Sequence, residues 1–149
     1  MSRLLVVHHS PTDNVRSLTD AVLAGARDPD LSGVEIVERL ALEASIDDVL
    51  GADGYLVGTP ANFGYISGAL KHFFDSTYDA THEATIKRPF SYWIHGSYDT
   101  TGAEHAMESI TTGYGWTLAT LPLVFTGEID QRRLDAAYEL GATLAATLM

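Results

Sequence analysis

Hydrophobic positions along this chain switch repeatedly between two periods. Arg3-Leu4-Leu5-Val6-Val7-His8 is a short apolar run whose length and β-branched content predict a buried strand. His9-Ser10-Pro11-Thr12-Asp13-Asn14 then collects turn and helix-capping residues. From Val15 the spacing becomes helical, with Val15, Leu18, Val22 and Leu23 on one face and Arg16 and Asp20 on the other. Gly25 lies near the end of that helix, and Pro29 cannot continue it. Val34–Glu38 alternates as an edge or half-exposed strand does, and a short helix is expected over Ile46–Leu50. Gly54-Tyr55-Leu56-Val57-Gly58 predicts a third strand, buried and closed by Thr59-Pro60.

The second half repeats the scheme. Asn62-Phe63-Gly64-Tyr65 reads as a loop, and a helix starting near Ser67 has Leu70, Phe73, Phe74 and Tyr78 on its apolar side. Asp79–Arg88 is irregular and polar. Phe90–His95 is the fourth strand, Gly96–Gly102 a turn-rich loop, and Ala103–Thr111 a helix. Leu121–Phe125 is the fifth strand. The last helix starts near Asp130, with Leu134, Ala137, Tyr138, Gly141, Leu144, Ala145 and Leu148 as its stripe. Strand and helix thus alternate five times without repeat or linker. That order implies parallel strands joined by right-handed crossovers, hence a three-layer, doubly wound α/β domain spanning residues 1–149.

Composition narrows the chemistry. With 46% hydrophobic and 19% charged residues the chain is outside the disordered class. It has no cysteine, so disulfides, thiolate metal sites and a cysteine nucleophile are excluded. Redox work would need a bound cofactor. A net charge of −11 repels phosphate backbones and argues against a nucleic-acid partner. No apolar run has the length of a membrane span, and the start of the chain lacks a signal-peptide layout, so a cytoplasmic protein is expected.

Ligands of doubly wound sheets bind outside the carboxyl ends of the strands. Three loops meet there: Ser10–Asn14, Thr59–Tyr65 and Gly96–Gly102. The first runs from a strand into a helix, where free amides and the helix dipole suit a phosphate. Ser10, Thr12, Asn14 and the amide near Val15 are the candidate donors, although helix capping by Ser10 and Thr12 is the plainer reading. It is not a Walker loop, because no Gly-Lys-Ser/Thr is present. In the second loop, backbone amides and Asn62 suit a planar heterocycle, with Phe63 or Tyr65 as an aromatic wall. Alternatively, Phe63 packs under the loop for stability alone. In the third, Tyr98 is placed to stack and Gly102 to allow close approach; the alternative is an ordinary glycine-rich turn.

Together these segments resemble the flavodoxin-like FMN-binding proteins. His9-Ser10-Pro11-Thr12-Asp13-Asn14-Val15 is similar to that family's phosphate loop. Gly58-Thr59-Pro60-Ala61-Asn62-Phe63-Gly64, followed by Gly68, Leu70, Lys71, Phe73 and Asp75, resembles the corresponding segment of WrbA-type NAD(P)H:quinone reductases and NADPH-dependent FMN reductases. Gly96-Ser97, Gly102 and Glu104 resemble the third motif of that group. The resemblance implies strand order 2-1-3-4-5 and FMN as cofactor. It places the phosphate on Ser10, Thr12, Asn14 and Val15. Pro60, Ala61, Asn62, Phe63 and Gly64 would line one side of the isoalloxazine, and Ser97, Tyr98 and Gly102 the other. Two positions depart from the family pattern: Asp13 stands where glycine is usual, and Val15 where threonine is.

The flavin would carry the chemistry, so no catalytic side chain is expected. The leading expectation is an oxidoreductase passing electrons from NAD(P)H to a quinone or similar acceptor. Two others stand beside it. One is a flavodoxin-type electron carrier, whose acidic surface steers basic protein partners. The other is a domain that has lost FMN and acts as a binding module, a reading kept open by Asp13 and Val15. A homodimer is an open possibility. A phospho-receiver is rejected, because strand three ends in Gly58-Thr59-Pro60 rather than an aspartate. His8, His9, His72, His82, His95 and His105 show no metal-ligand spacing, and no metal is expected. His95 ends strand four, where it either tunes the site by protonation or hydrogen-bonds a loop. Lys87-Arg88 is either a solvated spot or a contact for a nicotinamide-nucleotide phosphate.

Overall fold

The computed structural model describes all residues 1–149. Strand β1 (Ser2–His8) lies inside a mainly parallel sheet, and Leu4, Leu5, Val6 and Val7 are all fully buried. The two-residue period of a strand sends Leu4 and Val6 to one face, Leu5 and Val7 to the other. On the first face they meet α1 (Asp13–Ala26) and α5 (Gln131–Thr147), through Leu18, Val22, Ala137 and Leu144. On the second they meet α2 (Ile46–Gly51), α3 (Gly68–Thr81) and α4 (Thr101–Tyr114), through Val49, Phe73, Phe74 and Met107. A sheet covered on both sides explains why β1 is continuously apolar.

β1 pairs in parallel with β2 (Val34–Leu40) and with β3 (Gly54–Asn62). β3 pairs with β5 (Pro89–Gly96), and a two-residue β4 (Tyr65–Ile66) folds back antiparallel on the end of β3. The free edge of β5 is shared by β6 (Thr117–Leu118) and β7 (Leu123–Thr126), both parallel to it. The order of the five strand positions is therefore the expected one. The expected strand Leu121–Phe125 is corrected to β7, which starts only at Leu123, and a separate two-residue β6 precedes it on the same edge. Pro122 lacks the amide that a continuous ladder requires, and Leu121 is left exposed at the break. The Ser91 hydroxyl reaches across to the Thr120 carbonyl at 3.0 Å.

Two further expectations change. β3 does not stop at Gly58, because pairing with β5 continues to Pro60↔His95 and the hairpin adds Ala61 and Asn62. The polar stretch Asp79–Arg88 is helical as far as Thr81, and its hydroxyls serve the core: Trp116 donates its indole N–H to Thr85 at 3.0 Å. Arg88 is engaged within the protein. Its guanidinium donates to the carbonyls of Leu50 at 3.0 Å and Ala52 at 2.6 Å, at the amino ends of the strands and away from the loops proposed above.

α1 and α5 touch backbone to backbone. A Cβ on Gly25 would lie 1.9 Å from the Tyr138 carbonyl oxygen, and one on Gly141 would lie 2.0 Å from that of Val22. Neither neighbour is a flexible side chain, so any methyl group must separate the helices. Gly141→Ala is expected to destabilise the fold by about 2–3 kcal/mol through overpacking, read as a lower urea midpoint with an unchanged slope.

Candidate functional site

The carboxyl ends of β1, β3 and β5 lie side by side, because Val6 pairs with Leu56 and Gly58 with Trp93 along the sheet. The loop after β3 is a tight hairpin. Phe63 and Gly64 have φ of 51° and 77°, the double positive φ of a type I′ turn between paired Asn62 and Tyr65. Its base is anchored by buried Thr59, whose hydroxyl accepts the Ser67 amide at 3.0 Å while Ser67 caps α3. In the loop after β5, Asp99 accepts from the Thr101 amide at 3.0 Å and hydroxyl at 2.7 Å, and these bonds hold its carboxyl below the ordinary range.

The two loops enclose an open cavity of about 500 Å³, lined by Ala61, Asn62, Phe63, Gly64, Ser97, Tyr98 and Asp99. Six of these are sequence-predicted site residues; Asp99 is an addition whose signal was the Asp-x-Thr turn. Phe63 and Tyr98 are fully exposed, so Phe63 does not pack under its loop. Pro60 is buried one residue behind the wall. Gly102 has a different neighbour from the expected ligand. A Cβ there would lie 2.4 Å from the Gly64 carbonyl oxygen, so this glycine lets the start of α4 seat against the hairpin and sets the spacing of the two walls.

The first loop adjoins this cavity without lining it, tied to β3 by the His9 amide and the Gly58 carbonyl at 3.1 Å. Thr12 is the N-cap of α1 and accepts from the Val15 amide at 3.3 Å. The amides of Ser10, Thr12, Asp13 and Asn14 donate to no acceptor in the protein. The Val15 side chain is buried, and its amide is taken by the Thr12 cap. The side chains of Asp13 and Asn14 are exposed. Behind the loop lies a network that sequence reasoning missed. His8 is fully buried, with Nδ1 2.9 Å from the Ser10 hydroxyl and Nε2 2.7 Å from Glu38 Oε2. Ser10 also meets the Thr19 hydroxyl at 2.7 Å, and Arg16 pairs with Glu38 at 3.1 Å. Burial pushes the His8 imidazole below its ordinary value, outweighing the upward pull of Glu38. Burial raises Glu38, but the His8 hydrogen bond and Arg16 outweigh it, so its carboxyl stays ionised. His95, near the end of β5, hydrogen-bonds a loop, its Nε2 meeting the Gly127 carbonyl at 2.7 Å just after β7.

No protein-family model matches the chain. A flavodoxin of Aquifex aeolicus is 40% identical over 75 residues, covering 50% of this chain and 40% of that protein. An NAD(P)H dehydrogenase (quinone) of Acidithiobacillus ferrooxidans is 31% identical over 97 residues, covering 52% of this chain and 48% of that one. The matched segment thus spans less than half of either relative. The structure superposes on a flavodoxin, WrbA-like protein from Agrobacterium tumefaciens with a TM-score of 0.79, 20% identity, and coverage of 99% of this chain and 98% of that one. The chain is flavodoxin-like. It shares its fold with a solved flavodoxin, WrbA-like protein and matches segments of a flavodoxin and of an NAD(P)H dehydrogenase (quinone); FMN is the cofactor to test against its residues. Its own residues fit that group: unpartnered amides suit a phosphate, and an open cavity with two exposed aromatic rings suits a flat heterocycle. No helix is long and apolar enough to cross a membrane. No three His, Asp or Glu residues cluster as a metal site would require.

The His8 network makes stability depend on pH. Below about pH 6.5 the unfolded chain binds a proton that buried His8 resists, so the unfolded state gains. This contribution is absent above that pH and grows as pH falls toward the folded-state value. The thermal midpoint is expected to drop between about pH 7.5 and 5.5, and His8→Gln should remove part of that drop.

Proposed function

We propose that the chain binds FMN at these three loops and passes electrons from NAD(P)H to a quinone or similar small acceptor. The observation that carries this is the pair of fully exposed rings, Phe63 and Tyr98, on a cavity beside unpartnered phosphate-loop amides. When bound, the flavin supplies hydride and electron transfer; the protein supplies position and polarity. Thr12, Asp13 and Asn14 present amides to the phosphate, with no free lysine or arginine in the loop to add charge. The Asn62 amide and hairpin backbone orient the ring edge, and Phe63 and Tyr98 cover its faces. Asp99 and the acidic surface disfavour negative charge on the reduced ring, which lowers its potential. The wide cavity mouth leaves room for a nicotinamide or a quinone to approach.

A carrier that exchanges electrons with protein partners is the second reading. The 40% identical flavodoxin segment and the −11 charge favour it. Steady-state NAD(P)H oxidation with added quinone decides between the two. Turnover dependent on FMN supports the reductase, whereas FMN binding without turnover supports the carrier. Both readings fail if the protein does not quench flavin fluorescence. Phe63→Ala and Tyr98→Ala should each weaken FMN by about fivefold to tenfold, the worth of one stacking contact. Because both rings are exposed, folding stability should stay within about 0.5 kcal/mol.

A further inference from the structure

The His8 network reaches the phosphate loop from inside the protein, and none of the chemistry above uses it. Its proton positions follow from its acceptors. Glu38 is an ionised carboxylate and accepts only, so Nε2 of His8 carries a hydrogen toward it. A neutral imidazole has no second hydrogen, so Nδ1 must accept, and the Ser10 hydroxyl donates to it. Ser10 is then left with lone pairs alone for other partners, one of them directed to Thr19. In this state the Ser10 hydroxyl has no hydrogen for an anion.

We propose that His8 is a positioning residue that couples proton uptake to anion binding at the Ser10–Asn14 loop, by reversing the Ser10–His8 hydrogen bond. One proton from solvent joins Nδ1, which then donates to Ser10 Oγ. The Ser10 hydrogen is released and turns toward the anion held by the amides of Thr12, Asp13 and Asn14. The new charge is buried one residue behind the loop and also attracts the anion. The groups facing His8 are Glu38 on β2, and Arg16 and Asp20 on α1. Glu38 and Asp20 favour the imidazolium, and Arg16 opposes it. Binding and protonation are reciprocal, so an anion must raise the proton affinity of His8 by the factor by which the proton raises anion affinity.

The inference rests on the phosphate-loop part of the proposed function, and two measurements separate their fates. In the first, the His8 ring is titrated by NMR in the wild-type protein, in sodium chloride and in sodium sulfate at equal ionic strength. Sulfate keeps its charge over the range, so a change in the His8 midpoint does not come from titration of the anion. A higher His8 midpoint in sulfate supports the coupling, and an unchanged midpoint overturns it. In the second, FMN and riboflavin are titrated into wild type and His8→Gln at one pH below and one pH above the His8 midpoint that the first measurement gives, because burial places that midpoint under the ordinary histidine value. The FMN phosphate itself gains a proton near pH 6, but equally for both proteins. The wild-type advantage in FMN affinity should therefore be about fivefold or more larger at the lower pH, with no such change for riboflavin. An equal advantage at both pH values overturns the coupling while leaving FMN binding intact. If wild type binds no FMN at either pH, the cofactor reading fails, and the sulfate arm still decides the role of His8.

Discussion

The burial of β1 on both faces constrains everything else in this molecule. Leu4, Leu5, Val6 and Val7 have no exposed surface, so helices must cover both sides of the sheet. The same strand period carries one step further and puts His8 on the α1 side, also without exposure. A buried imidazole must find hydrogen-bond partners or the fold loses stability. Ser10, Glu38 and, through Glu38, Arg16 meet that demand. The conformation of the loop at the ligand end is thus tied to the register of the central strand.

The carboxyl end of the sheet combines a rigid frame with exposed aromatic and polar surface. The hairpin has a two-residue turn, a buried threonine at its base and a glycine-mediated seat against α4. These features leave Phe63 and Tyr98 without packing partners but with fixed backbones. Such aromatics lose little entropy on stacking, because the scaffold is already ordered. The Ser10–Asn14 loop is organised in the same way. The Ser10 hydroxyl is held by His8 and Thr19, while the amides of Ser10, Thr12, Asp13 and Asn14 have no acceptor in the protein. Arg16, the nearest cation in the sequence, is already engaged by Asp20 and Glu38, which leaves the free amides and the helix end as the polar groups this loop presents.

Much of this was legible because the signals were periodic. The alternation of strand and helix, the apolar stripes of α1, α3 and α5, and the three strand-end loops follow from spacing and turn residues. The hairpin was harder to see, since Asn62-Phe63-Gly64-Tyr65 puts phenylalanine at a positive φ that favours asparagine or glycine. The split of the fifth strand had a signal in Pro122, but the two-residue β6 is created by β5 alone, since so short a segment has no period to read. Arg88 looked like surface charge. Its partners are helix-end carbonyls more than thirty-five residues earlier in the chain.

The sequence by itself determined the order of elements, the layering and the identity of the loops, because these depend on local periodicity and capping. It also carried Phe63 and Tyr98 in the two loops that enclose the cavity. Tertiary structure decided which groups are free to act. It exposed both rings, took Val15 into the core, and packed Gly102 against the hairpin. It also brought His8, Ser10, Thr19 and Glu38 together from β1, its following loop, α1 and β2. Those contacts are set by strand register and helix docking, so no local pattern in the chain contains them.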